Sequence, residues 1–184
     1  MDTVADGLDH ALEKAFTRPI PRSAGAQMRY LVRQHKGTRA VADLLGITQR
    51  TVERYVNNQI RTPRKDLAAR LEREVRRRWQ PQIRARARQS AATATGIVID
   101  TRARFGYTAA PGTTDDARLR HLTVALPPQY AARLFEAQQD GATEQQLREI
   151  AAEGLGEVYF RDRGRRAHGL LVEFTDVEHV DFDL

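Results

Sequence analysis

The spacing of apolar residues changes along the chain, from a helical period in the first half to a mixture of alternating and helical patterns in the second. The segment GTRAVADLLGITQRTVERYVNN, residues 37–58, predicts two short helices around a tight turn at Gly46. Ile47 follows the turn, and Thr48 is a suitable N-cap for the second helix. The small core predicted to set the angle between these helices consists of Val41, Leu45, Ile47, Val52 and Val56.

Further helices are predicted on both sides of this pair. Upstream, AQMRYLVRQ has the apolar face of one helix. Downstream, Thr62 and Pro63 have the residue types of an N-cap and first turn, and they predict a long helix reaching Trp79. Its apolar residues keep a four-residue spacing at Leu67, Leu71, Val75 and Trp79. We interpret Trp79 as the end of this core seam in preference to a platform for stacking bases.

The stretch PQIRARARQSAATAT, residues 81–95, has no apolar period and is first basic, then small and polar. It predicts a basic tether or frayed helix that separates a domain over residues 1–95 from a domain over 96–184. Arg84, Arg86 and Arg88 would either follow a DNA backbone or lie solvated.

The second half predicts a small α+β domain. GIVID with TRARFGY, and then RLRHLTVAL, alternate as strands do, and a Pro-Gly-containing stretch separates them, which favours a β-hairpin with a long tip. Two helices follow in PPQYAARLFEAQQ and TEQQLREIAAEGLGEVYF, the second with a capping box at Thr143 and Gln146. LLVEFTDVEHVDFDL then predicts one long or two short strands. The predicted fold is therefore an all-helical first domain followed by a few-stranded antiparallel sheet with two helices.

Composition and charge narrow the function classes. The chain is 41% hydrophobic and 29% charged, which is typical of a globular protein. It has no cysteine, and it lacks both a secretory leader pattern and an apolar run of about 20 residues, so we expect a cytoplasmic protein with no membrane partner. Residues 1–95 hold 20 Lys and Arg against 9 Asp and Glu, whereas residues 96–184 hold 10 against 15. This separation of charge favours a polyanionic partner for the first half.

The helix pair and this charge together predict a DNA-binding helix-turn-helix. In that motif the start of the second helix faces the bases, and the residue types there suit adenine, guanine and thymine. The predicted base contacts are Gln49, Arg50, Thr51 and Arg54, and the predicted phosphate contacts are Lys36, Arg39, Arg61, Arg64 and Lys65. The competing interpretation is a helical hairpin inside a larger core, with these side chains solvated.

Catalytic motifs are missing from the sequence. It contains no Gly-rich phosphate loop, no HExxH and no G-x-S-x-G, and its five histidines are scattered. The acidic residues Asp176, Glu178, Asp181 and Asp183 either gather a metal or, as we expect, form a solvated strand face. We therefore predict no metal site and no cofactor of the protein's own.

Six blocks of sequence resemble the telomere terminal proteins of linear actinobacterial (Streptomyces-type) chromosomes and plasmids. They are KAFTRPIPRSAGAQMRYLV, TQRTVERYV, RLEREVRRRWQPQIRARARQ, GIVIDTRARFGYTA, TDDARLRHLTVALPPQYAARLF and HGLLVEFTDVEHVDFDL, and they cover most of the chain. The resemblance implies a protein that is joined covalently to the 5′ ends of linear DNA and acts as a primer. A side-chain hydroxyl accepts the first deoxynucleotide, and a polymerase then fills the end left single-stranded by replication.

The resemblance further implies that the acceptor is a threonine in the loop PGTTDD, and it favours Thr114 over the adjacent Thr113. Tyr107 is a rival hydroxyl closer to the strand. A threonine hydroxyl is a weak nucleophile, so its activation, including Mg²⁺, is expected from the partner polymerase. The chain would then be an acceptor and scaffold, not an enzyme. The implied partners are telomeric DNA with its 3′ single-stranded overhang, a DNA polymerase and a telomere-associated DNA-binding protein, with a second copy of the chain left open.

The alternative function is a helix-turn-helix transcription regulator whose second half dimerises or senses a ligand. The helix-turn-helix alone favours this alternative, whereas the six blocks favour the terminal protein. A nucleotidyl-transfer or nuclease enzyme is a third class, and the sequence lacks a metal-ligand set for it.

Overall fold

The computed structural model of the chain describes residues 3–108, 118–160 and 171–184. Within these ranges the protein combines α-helices with one three-stranded antiparallel sheet, so it has the predicted α+β class. The helices are α1 (Val4–Lys14), α2 (Ala24–His35), α3 (Thr38–Leu45), α4 (Gln49–Val56), α5 (Lys65–Arg78), α6 (Pro81–Ser90), α7 (Pro128–Gln139) and α8 (Glu144–Leu155). The strands are β1 (Ile97–Thr108), β2 (Arg118–Leu126) and β3 (Leu171–Asp183). Two π-helical turns, Ala91–Thr95 and Gly156–Phe160, continue α6 and α8.

The chain forms two compact units. The helical unit is Thr17–Pro81, and the sheet unit combines Met1–Phe16 with Gln82–Leu184. This division differs from the boundary predicted at residue 95. The physical reason is that α1 and α6, assigned to the first domain on charge, contribute side chains to the core of the sheet unit. The helical unit is thus an insertion between two segments of the sheet unit.

In the sheet unit the strands lie in the order β2-β1-β3. β1 pairs antiparallel with β2 from Ile97↔Leu126 to Phe105↔Arg118, which confirms the predicted pairing of these two segments. β1 also pairs antiparallel with β3, and the register shifts twice along that pair. These irregularities explain why the alternation of the last segment is not a simple period of two.

One face of this sheet carries the core. Ile97, Ile99, Ala103 and Phe105 alternate inward along β1, while Arg102 and Arg104 between them are exposed, as the pattern predicted. The buried side chains that complete this core are Leu122 and Leu126 from β2, Leu134 and Phe135 from α7, Leu147, Ala151 and Leu155 from α8, and Val180 and Phe182 from β3. The capping box predicted at the start of α8 is confirmed.

Helix α1 is held against the rest of the sheet unit by several contacts. Its first backbone N–H groups donate to the Glu144 carboxylate of α8, from Val4 at 2.8 Å and from Ala5 at 3.3 Å. Leu8 and Leu12 are fully buried in the core. Gly7 lies so close to the ring of Phe182 that an added Cβ would be 2.9 Å from its Cδ2. These contacts join residues more than 130 positions apart, so no local pattern signals them.

Residues 81–95 are helical, so of the two predicted alternatives, a tether or a frayed helix, the structure has a helix and not a tether. α6 runs through Ser90 and continues into the π-helical turn that ends at Gly96. Arg84, counted as a solvated charge or backbone contact, is only 4% exposed because it forms an ion pair with Asp9 and lies 5.9 Å from the ring centroid of Phe16. An arginine whose charge is paired can face the core, so a helix that buries an arginine is not recognised from the spacing of its apolar residues.

In the helical unit, α2 to α5 surround a separate core. Trp79 is half-buried, its ring centroid lies 4.8 Å from that of Tyr30, and its indole Nε1 donates to the Arg18 carbonyl at 3.0 Å. This confirms the assignment of Trp79 to the core seam. α5 begins at Lys65, after an Arg64 N-cap without a side-chain bond, and so starts later than Thr62 and Pro63 suggested.

Candidate nucleic-acid interface

The turn between α3 and α4 forms as the sequence predicts. Gly46 ends α3 in the left-handed region, with φ of 64°, and the backbone N–H of Ile47 donates to the Ala42 carbonyl at 3.0 Å. Thr48 then caps α4, its Oγ1 accepting from the backbone N–H of Thr51 at 3.2 Å. These local contacts fix where α4 begins and which of its residues occupy the first turn.

The apolar face of α4 is anchored in the core of the helical unit. Val52 is fully buried and Tyr55 nearly so, in the cluster that also contains Val41 and Leu45. At the other end of α4, the Arg29 guanidinium of α2 donates to the Val56 carbonyl at 2.9 Å. The two ends and the inner face of α4 are therefore held, and its outer face is presented in a fixed orientation.

The four predicted base contacts at the start of α4 fall into two groups. Arg50 and Arg54 are exposed, and neither takes part in an ion pair within the helical unit, every residue of which is described. Gln49 donates through its amide to Thr38 Oγ1 and to Glu53 Oε1, each at 3.0 Å. Thr51 is half-buried, and its hydroxyl lies 2.8 Å from that of Thr48. Two of the four side chains thus already have partners inside the protein.

The five predicted phosphate contacts are all exposed, and none forms an ion pair within residues 17–81; they are Lys36, Arg39, Arg61, Arg64 and Lys65. They lie at the end of α2, at the start of α3 and around the start of α5. The helical unit as a whole contains 16 Lys and Arg against 5 Asp and Glu, a net charge of +11. The rest of the chain has 14 against 19, a net of −5. The structural division therefore separates the charges over fewer residues than the sequence boundary did.

Sequence reasoning missed Arg70 and the role of Gln49. Arg70 extends from α5 to the turn, where its Nη1 would lie 3.1 Å from a Cβ added to Gly46. Its Nε donates to the Asp66 carbonyl at 3.4 Å. The only available signal was its helical spacing from Leu67, which does not specify contact with a turn 24 positions earlier in the sequence.

Thr113 and Thr114, the predicted acceptor and its neighbour, lie outside the described residues, as do Asp115 and Asp116. The structure does describe the strands that flank them. β1 runs to Thr108 and β2 starts at Arg118, and the core side of their shared end contains Phe105. Its ring centroid lies 5.6 Å from that of Phe160 and 5.1 Å from that of Phe174.

The opposite face of the sheet is polar, and several of its charged side chains form ion pairs, either with each other or with α1. Asp100 accepts from Thr123 Oγ1 at 2.6 Å and lies 3.1 Å from His121 Nε2. The hydrogen bond from Thr123 lowers the pKa of Asp100 by more than burial raises it, so this pKa lies below its usual value. Arg102 pairs with Glu178 at 2.9 Å. Asp181 pairs with His10 and Lys14 of α1. No group of three or more potential metal-ligating side chains occurs among the residues that the structure describes.

Comparison with known protein families, with curated proteins and with solved structures finds no match for this chain. None of the helices in the described part of the chain combines the length and the apolar character needed to cross a bilayer. The assignment of a nucleic-acid interface therefore rests on the geometry and the charge of the helical unit.

Proposed function

We propose that this chain is a DNA-binding protein primer, a telomere terminal protein of linear replicons, in which α3 and α4 form a helix-turn-helix. The observation that carries the DNA-binding part is the helical unit of net charge +11, which presents unpaired Arg50 and Arg54 on a helix fixed at both ends. Phosphate neutralisation by such a surface releases counterions and gives affinity for duplex DNA. The nucleoid in the cytoplasm is the corresponding location.

The acceptor in this proposal is Thr114, with Thr113 as the alternative. Its Oγ attacks the α-phosphorus of a deoxynucleoside triphosphate; the Oγ–P bond forms, the bond to the β-phosphate oxygen breaks, pyrophosphate leaves and the hydroxyl proton passes to a base. The partner polymerase supplies that base and its Mg²⁺ ions, so the chain is a substrate and not an enzyme. Support comes from the flanking strands, which pair with each other up to Phe105, whose ring packs against those of Phe160 and Phe174.

The remaining partners follow from this role. The helical unit binds the duplex portion of a telomere, while the polymerase copies the 3′ overhang by extending the nucleotide attached to the acceptor threonine. A telomere-associated DNA-binding protein completes the assembly. The sheet unit has a net charge of −5, so the electrostatic attraction of the chain for DNA comes from the helical unit.

The test is formation of a covalent nucleotide adduct. The full chain is incubated with radiolabelled deoxynucleoside triphosphates, Mg²⁺ and an actinobacterial extract that contains DNA polymerase, and the labelled residue is located by mass spectrometry. We expect label on wild type, none on Thr114→Ala, partial label on Thr114→Ser and a milder loss on Thr113→Ala. If the label persists in Thr114→Ala but disappears in Thr113→Ala or Tyr107→Phe, then Thr114 is not the acceptor.

The transcription regulator shares the basic helical unit, so DNA binding alone does not separate the two functions. Sequence-specific duplex binding without any adduct in the same extract would refute priming and favour the regulator. Absence of binding to duplex DNA at any salt concentration would refute both.

A further inference from the structure

We propose that the helical unit reads guanine bases through the pair Arg50 and Arg54, while Gln49 acts as an internal brace and does not read adenine. This inference rests on the proposed DNA binding and adds the base class that the site recognises. It changes the expectation from sequence, in which Gln49, Arg50, Thr51 and Arg54 were equivalent candidates.

The bonds of Gln49 explain why it does not read a base. A glutamine recognises adenine by donating an amide hydrogen to N7 while its carbonyl accepts from N6. The side-chain amide nitrogen has two hydrogens, and here they point to Thr38 on α3 and to Glu53 one turn along α4, each at 3.0 Å. Reading adenine would break one of these bonds and weaken the link between the two helices.

The brace also leaves the two arginines without an internal partner. Glu53 lies three positions after Arg50, a spacing at which a free carboxylate would be expected to attract a guanidinium. Its Oε1 accepts from Gln49 instead, and no ion pair joins it to either arginine in the helical unit. Both guanidinium groups therefore keep their donors for a ligand.

Guanine is the base that suits such donors. It presents two acceptors, O6 and N7, on its major-groove edge, and an arginine binds both at once. Arg50 and Arg54 are four positions apart on one helix face, which separates their Cα atoms by about 6 Å along the axis. Base pairs rise about 3.4 Å each, so the pair matches two guanines roughly two base-pair steps apart. Thr51 supplies no hydroxyl to a guanine, because its hydroxyl is engaged with Thr48.

The experiment selects the full chain on a library of randomised duplexes and then replaces each enriched guanine by 7-deazaguanine, which lacks the N7 acceptor. We expect two enriched guanines about two steps apart, and a loss of roughly 5- to 150-fold in affinity for each replacement. Arg50→Lys and Arg54→Lys keep the charge but not the bidentate fork, so each is expected to relax the preference at one of the two positions.

Gln49→Ala, with Gln49→Met as a second variant of similar length, should keep the guanine preference. Folding of each variant is checked by circular dichroism and by the fluorescence of Trp79. Selection of adenine that disappears in the Gln49 variants would overturn the proposal, and so would binding that is indifferent to 7-deazaguanine. Indifferent binding with a normal salt dependence would leave DNA binding standing, whereas no duplex binding at all would remove both.

Discussion

Replacing Leu8 by alanine tests whether α1 belongs to the sheet unit. Leu8 is 0% exposed and contributes to the core that contains Phe182 and Leu134. Leu→Ala changes at enclosed sites cost 2–5 kcal/mol, and with no exposure at this site we expect about 3 kcal/mol. At roughly 4 °C for each kcal/mol in a unit of this size, the midpoint of unfolding of the sheet unit should fall by about 12 °C.

The chain provides a probe that separates the two units. Its single tryptophan, Trp79, lies in the helical unit, so tryptophan fluorescence reports that unit while far-ultraviolet circular dichroism reports both. Leu8→Ala should lower a transition seen by circular dichroism and leave the fluorescence transition in place. Leu71→Ala, at a fully buried position of the helical unit, is the matched control: it should lower the fluorescence transition and the matching part of the dichroism change, and leave the sheet-unit transition in place. If Leu8→Ala shifts the fluorescence transition as far as the dichroism transition, the division described here is refuted.

Two other changes test the sheet unit. Gly96→Ala should destabilise the sheet unit by more than about 1 kcal/mol in urea unfolding, because φ is 73° and a Cβ would lie 2.2 Å from the Leu126 carbonyl oxygen. The control is Gly141→Ala, where φ is 79° but the Cβ would meet no atom, and this change should cost about 1 kcal/mol. Equal losses in the two variants would contradict the clash at Gly96. Burial raises the pKa of Asp181, but the hydrogen bonds from His10 and the Phe182 backbone lower it by more, so the pKa in the folded protein lies below 3.8. The ionised Asp181 therefore stabilises the fold above pH 3.8, and this stabilisation is lost as the pH falls through the pKa of the folded protein. Asp181→Asn should therefore destabilise the unit at pH 7 and differ less from wild type at pH 3, and a constant difference would refute this.

The parts of the fold that the sequence predicted are those fixed by neighbours in the chain. The caps at Thr48 and Thr143 and the turn at Gly46 each involve residues within about five positions, so residue types alone indicate them. The strand pairing of β1 with β2 follows in the same way, because their alternation sets which side chains face inward.

The parts that were not predictable depend on distant partners. As a lone charged residue type, Arg84 is expected to be solvated, and only its contacts with Asp9 and Phe16 account for its burial. In the same way, the first backbone amide of α1 is capped by Glu144, 140 positions away. At the candidate interface, the residue types of α4 indicated a polar outer face, but only the position of Thr38 shows that Gln49 is engaged. The charge separation and the loss of apolar periodicity over residues 81–95 placed the boundary at residue 95, because neither pattern registers these contacts.

The insertion of the helical unit also sets the order in which the protein can be completed during synthesis. Leu8 leaves the ribosome 174 positions before Phe182, against which α1 packs. At about 5–20 residues per second, this interval lasts roughly 9–35 s. During that time residues 17–81 already have every partner needed for their own core. The apolar side of α1 does not, and it stays without its core partners until β3 has been made.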